Sequence, residues 1–179
     1  MSPLWTSAIC LVAIVLYQAT TPITVNIFSE VAIAADKVRI FKFLSNLTKV
    51  LEQGPIRVKI IGTFEEEGVT MDYYKMVNDI PILGSFSFST YYDAFLCKFP
   101  KNFTISTKFE TNFAIMRGKT TWTLHNTNKD GNDMVTKLKE QFTATCPWIF
   151  SHITETVARE EHRHTLESIK ERMEAEGHG

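Results

Sequence analysis

The sequence predicts an α+β fold, a curved antiparallel sheet of about seven strands wrapped around one long C-terminal helix, with short helices after the first strand. Three observations carry this. The strand-like stretch Ile23–Ile33 runs into Ala35–Leu44, where the apolar period changes from two to about 3.6. Every segment from Ile56 to Ala144 reads as β. From Trp148 to Glu176 neither Pro nor Gly interrupts a run of helix formers. A sheet followed by a single long helix buries both apolar faces only when the helix lies across the sheet. A long, bent sheet then leaves room for a cavity beneath the helix.

After the opening strand and helix, strands are predicted at Ile56–Glu65, Val69–Asn78, Ser85–Leu96, Asn102–Thr111, Met116–Asn126 and Asp133–Ala144. Glu65-Glu66-Glu67-Gly68 is a polar reversal, and Asn128-Lys129-Asp130-Gly131 carries an Asp-Gly hairpin signal. Asp79–Gly84 reads as a longer loop with Pro81 and three apolar residues, a core plug or a lip over a pocket mouth.

Strand alternation names an inward face. It holds Ile23, Val25, Ile27, Val31 and Ile33 in the first strand. Phe86, Phe88, Thr90, Tyr92, Ala94 and Leu96 follow in the fourth, and Phe103, Ile105, Thr107 and Phe109 in the fifth. The sixth offers Met116, Gly118, Thr120, Trp122 and Leu124, and the seventh Thr136, Leu138, Glu140 and Phe142. Hydroxyls and a carboxyl recur among the aromatics. A dry core disfavours that mixture, since an unpaired buried polar group costs about 1–3 kcal/mol. A partly hydrated cavity tolerates it.

The closing helix starts behind Pro147, a residue suited to the first helical position. Phe150, Ile153 and Val157 form one stripe, and Leu166, Ile169 and Met173 form another, rotated around the axis. One reading is a helix packed by its first half, with a solvated middle and a tail docked elsewhere. The other sets Glu161 or His164, which continue the first stripe, over the cavity against a ligand head group.

The chain has 179 residues and a net charge near zero (−1), a size suited to one domain and a charge that gives a nucleic-acid partner no support. Ala8–Leu16 is an uncharged apolar run, short for a bilayer span and suited to the core of a secretory signal. Residues 1–21 are therefore read as a signal peptide or an uncleaved anchor, 22–176 as the folded domain and 177–179 as a disordered tail. The sequons at Asn46 and Asn102 fit a secreted or luminal glycoprotein. Cys10 leaves with the leader. Cys97 and Cys146 end strands that run oppositely, so two free thiols are expected.

The stretch Val31-Ala32-Ile33-Ala34-Ala35-Asp36-Lys37-Val38, continued by Ile40-Phe41-Lys42-Phe43-Leu44-Ser45-Asn46, together with the element order, resembles the START-like (SRPBCC) superfamily and its helix-grip fold. Asp36 stands where the family places an acid before its helix, Val38 and Phe41 fill apolar slots, and Ser45-Asn46 replaces a frequent Asp. The glycine-rich loop of the pollen-allergen branch is absent; Glu65-Glu66-Glu67-Gly68 takes its approximate place. The resemblance implies an apolar cavity between sheet and final helix, used by relatives for lipids, sterols or polyketides, with some relatives acting as cyclases or aromatases.

Chemistry has little sequence support. There is no G-x-S-x-G or C-x-x-C, Glu161-x-x-His164 lacks the further carboxylates a di-iron bundle needs, and no glycine-rich phosphate cradle appears. No metal site and no cofactor are expected. The leading expectation is a monomer that carries a hydrophobic small molecule, in transient contact with a membrane, without chemistry. The candidate ligand contacts are Phe86, Phe88, Thr90, Tyr92, Phe103 and Ile105 on the fourth and fifth strands. They continue through Phe109, Trp122, Leu124, Leu138, Glu140 and Phe142, with Ile153, Val157 and His164 from the helix. Two alternatives stay open: a cyclase- or aromatase-like enzyme using His164 or Glu140 as general acid or base, and a structural protein with a dry core.

Overall fold

The computed structural model describes residues 15–52, 56–66, 68–83, 86–111, 115–129 and 133–175, with side chains for all of these except 80–83, 86–88, 128–129 and 133–134. Strand β1 (Pro22–Ile33) leads into helices α1 (Lys37–Leu44) and α2 (Leu47–Val50). A meander follows: β2 (Ile56–Glu66), β3 (Val69–Leu83), β4 (Phe86–Phe99), β5 (Thr104–Thr111), β6 (Arg117–Lys129) and β7 (Asp133–Pro147). Helix α3 (Trp148–Ala175) closes the chain. The seven strands form one curved antiparallel sheet in the order β1-β7-β6-β5-β4-β3-β2, and α3 packs against it.

Pairing of β1 with β7, from Pro22 opposite Pro147 to Ile33 opposite Thr136, ties the two ends of the domain together. The alternation read from sequence is the alternation of the sheet. Val25, Ile27, Ile33, Ala94, Leu96, Leu124 and Leu138 are buried, while Asn26, Lys108, Lys119 and Lys139 face water. A bulge between Ile60 and Gly62 interrupts the β2–β3 register, a device that bends and twists strands.

Short helices sit where the sequence supplies caps. The Asp36 carboxylate accepts from the N–H groups of Val38 (2.9 Å) and Arg39 (3.1 Å), and Asn46 Oδ1 accepts from Lys49 N (3.2 Å). A cap of this kind is worth about 1 kcal/mol. Behind it Ile40, Leu44, Leu47 and Val50 enter a large apolar cluster with Tyr74, Leu96, Ile105 and Trp122.

Two sequence expectations change here. Asp79–Leu83 is not a loop but the end of β3, paired with β4 across an irregularity between Pro81 and Leu83. Gly84 lies outside the described residues. Pro81 lies beyond Asn78, the last β3 residue paired with β2 among the described residues, an edge position of the kind where Pro is tolerated. The second change concerns α3, which packs by its second half. Leu166, Ile169 and Met173 are buried, whereas Phe150 and Ile153 are exposed. The tail is held because Glu174 accepts from Ala34 N (3.0 Å) and Arg172 donates to Lys49 O (2.9 Å), which seats it on the α1–α2 pair.

The predicted leader core and the 177–179 tail lie outside the described residues, apart from 15–21. Among the described residues no helix is long and apolar enough to cross a membrane. Cys97 and Cys146 are both free.

Candidate functional site

The concave face carries apolar clusters toward its two ends and a band of polar groups between them. One cluster gathers under α1, α2 and the tail of α3. The other holds Val25, Ile27, Phe142, Ala144 and Cys146, with Ala158 of α3 against it. Glu140 sits in the band. Register sets it beside Ser29 of β1 and Trp122 of β6, and its side chain is only 1% exposed.

Its oxygens are unequally served. Trp122 Nε1–H donates to Oε1 over 2.7 Å, and His162 Nδ1 on α3 reaches the same oxygen over 2.7 Å. Among the described residues Oε2 is buried without a partner, and so is Thr107 Oγ1 on the same face. Buried polar atoms nearly always find partners, so an orphaned carboxylate oxygen is a position where a ligand donor gains most.

Aromatic rings extend from the carboxylate across the face. His162 lies 4.5 Å from Phe142, which stacks on Phe109 at 5.8 Å; Phe109 meets Tyr92 edge-on at 6.1 Å. Burial raises the Tyr92 hydroxyl above its ordinary pKa and the nearby Glu161 charge adds to this, against hydrogen bonds from Thr90 and Asn78. Burial likewise raises Glu161, partly offset by His162 and His164. Tyr92, Glu161, His162 and Glu140 thus bring polar groups from β4, β7 and α3 to one apolar face.

Because Glu161 is held above the ordinary 4.5, the folded protein binds its proton more tightly than the unfolded chain does. That contribution is complete below the ordinary value and is lost as pH rises through the raised folded value. Glu161→Gln is expected to flatten this part of the stability–pH profile, read by urea unfolding at a series of pH values. An unchanged slope refutes the assignment.

The structure sorts the sequence candidates. Tyr92, Phe109, Trp122, Glu140 and Phe142 come together around the band, with Thr90 beside Tyr92. Ile105, Leu124 and Leu138 lie deep in the cluster under the helix pair. Phe103, at a positive φ of 47°, turns its ring against Phe41 of α1 (5.7 Å), with Lys37 Nζ 4.0 Å from its centroid. The side chains of Phe86 and Phe88 lie outside the described residues. From the helix, Ile153 is exposed and Val157 half-buried. His164 is 62% exposed, at the margin of contact with Glu160 and Glu167, and does not reach the sheet.

His162 takes the place expected of His164. Two residues apart on a helix point in nearly opposite directions. The signal was present: stepping back four from the buried Leu166 gives His162, and four more gives Ala158. The sequence reading instead extended the first stripe to Glu161 or His164. The fold leaves Phe150, Ile153 and His164 of that stripe in water, while Val157 and Glu161 are half-buried and Glu161 acts on Tyr92.

Two other features adjoin the band. Lys98 Nζ meets Asp72 Oδ2 at 2.5 Å, with Thr63 and Tyr74 also donating to that carboxylate. Burial and the Asp72 charge push Tyr74 up to about 12. These groups satisfy one another and close the β3–β4 side. A groove of about 310 Å³ runs between β1 and α3, lined by Ile27, Ser29, Val31 and Leu166 and rimmed by Glu30, Arg159, Arg163 and Glu167. Since Ser29 is the cross-strand neighbour of Glu140, the groove reaches the strand beside the buried carboxylate. Among the described residues no group of His, Cys, Asp and Glu could hold a metal ion.

No protein-family model matches the sequence. No curated protein matches it either. Solved structures do. An aromatase/cyclase, Zhui from Streptomyces sp. R1128, superposes with a TM-score of 0.63 at 13% identity, covering 85% of this chain and 94% of its own. A START superfamily protein from Mycobacterium smegmatis gives 0.61 at 15% identity, with 84% and 97% covered. Truncated norcoclaurine synthase from Thalictrum flavum gives 0.57 at 15%, with 83% and 92% covered. The chain has the helix-grip fold of START-like (SRPBCC) proteins.

Proposed function

We propose that this protein binds a hydrophobic small molecule between the concave sheet and α3, with a hydroxyl- or amine-bearing head directed at Glu140. One observation carries the reading: a carboxylate buried among Trp122, Phe142 and His162 whose Oε2 has no partner among the described residues. A dry core gains nothing from such a group. A ligand donor would complete its hydrogen bonding, while a carboxylate head would face like charge. Burying ten methylenes contributes about 8 kcal/mol before association costs, enough for useful affinity from the tail alone.

Native mass spectrometry of the protein with a long-chain alcohol, a sterol, retinol and a fatty acid tests this. The alcohol-headed ligands are expected to bind at least about tenfold more tightly than the fatty acid, and Glu140→Gln to remove most of that preference. No uptake of any ligand, or the same preference in the variant, refutes it.

A second reading has its own support. His162 and Glu140 form a hydrogen-bonded acid–base pair on a fold shared with the aromatase/cyclase Zhui. Such a pair suits proton transfer in a cyclisation or dehydration. This enzyme reading would require His162→Gln to abolish turnover of a polyketide-like substrate while leaving uptake intact. A secretory-pathway location, suggested by Ala8–Leu16 and the exposed Asn46 and Asn102, belongs to the same proposal.

A further inference from the structure

One end of the molecule collects apolar side chains that no described residue covers. The first turns of α3 expose Trp148 (55%), Ile149 (56%), Phe150 (47%) and Ile153 (57%). Beside them the helical residues 15–17 expose Val15, Leu16 and Tyr17. A hydrogen bond joins the two segments, Trp148 N donating to Thr21 O over 2.8 Å. The register puts the start of β1, the end of β7 and the start of β6 at this same end, and exposed Ile115 precedes β6 there.

Three facts identify the occupant. The sequence immediately upstream of Val15 is the uncharged apolar run Ala8–Ile14. Exposed Trp and Tyr beside an apolar segment match the chemistry of the bilayer interface, where amphipathic rings sit at head-group level. The first turn of α3 carries no acid, and its N-terminus therefore favours anionic phosphate groups. We infer that this end rests on a phospholipid surface. Val15, Leu16 and Tyr17 lie in its interface together with Trp148, Ile149, Phe150 and Ile153. The concave face would then open near the lipid at the end that holds Tyr92 and Phe109.

The test uses the full chain carrying Trp5→Phe, so that emission comes from buried Trp122 and exposed Trp148. With phosphatidylcholine–phosphatidylserine vesicles, emission is expected to shift to the blue and to be quenched by lipids brominated on the acyl chain. Trp148→Phe is expected to remove that response. Ile149→Glu with Ile153→Glu, both at exposed positions, is expected to reduce the quenching by at least about half. Three results overturn the inference: a bound chain whose Trp148 emission ignores the lipid, quenching unaffected by the double substitution, or a lipid-free dimer in sedimentation that already buries Trp148. None of them depends on Glu140, so ligand uptake can fail or succeed separately.

Discussion

Glu140→Ala is expected to lower the unfolding free energy by about 3 kcal/mol, a fall in Tm of roughly 6–12 °C for a chain of this length. The truncation removes the oxygen that pairs with the buried Trp122 Nε1–H and with the half-buried His162 Nδ1, and leaves a small void under α3. Each unpaired donor costs about 1–3 kcal/mol. Against this stands relief of the orphaned Oε2, which already costs desolvation in the native protein. The loss wins because two hydrogen-bonding partners, Trp122 and His162, are stranded while one orphaned oxygen is removed. Replacing the whole group, with Glu140→Leu, His162→Leu and Trp122→Phe together, is expected to be neutral or stabilising, as buried polar networks often prove when all members are exchanged for apolar ones. Ligand discrimination should vanish in both proteins. Urea unfolding of the single and triple variants decides the matter. A single variant within about 0.5 kcal/mol of the parent would show that the network contributes no net stability.

The second large effect is steric. A Cβ on Gly118 would stand 2.5 Å from Phe109 Cζ and 2.5 Å from Thr143 O. The ring can turn away; the carbonyl cannot, because it belongs to β7, paired with β6 at Lys119. Gly118→Ala is therefore expected to cost about 2–3 kcal/mol, in the upper range for overpacking. Damage should reach the site, since Phe109 stacks on Phe142 and Phe142 touches His162. Adding Phe109→Leu should recover only part of the loss, because the clash with the carbonyl remains. Full recovery in the double variant would place the whole conflict in the ring. Chemical denaturation and the ligand panel measure both consequences.

Much of the site was legible in the strands. Glu140, Trp122, Phe142, Phe109 and Tyr92 fall on the inward face because side chains in a strand alternate, and a period of two leaves no freedom once one face is apolar. Asp36 as a helix cap was legible for a similar reason, because a cap depends on a few neighbouring residues. His162 was not reached by the same route. A helix with two apolar stripes offers two faces, and local spacing does not say which one meets the sheet. Nor could alternation reveal that Phe103 turns toward α1, because its positive φ arises at the turn before β5.

The sequence by itself determined the order of the strands, the inward face and the closing helix, since each depends on short-range periodicity and backbone preference. Tertiary structure decided which half of α3 packs, and so which histidine meets Glu140. Docking of the helix tail on Ile33, Ile40 and Leu44, fixed by Glu174 and Arg172, sets the rotation of the whole helix. That rotation is a long-range packing outcome, and it alone brings His162 to the carboxylate while leaving His164 in water.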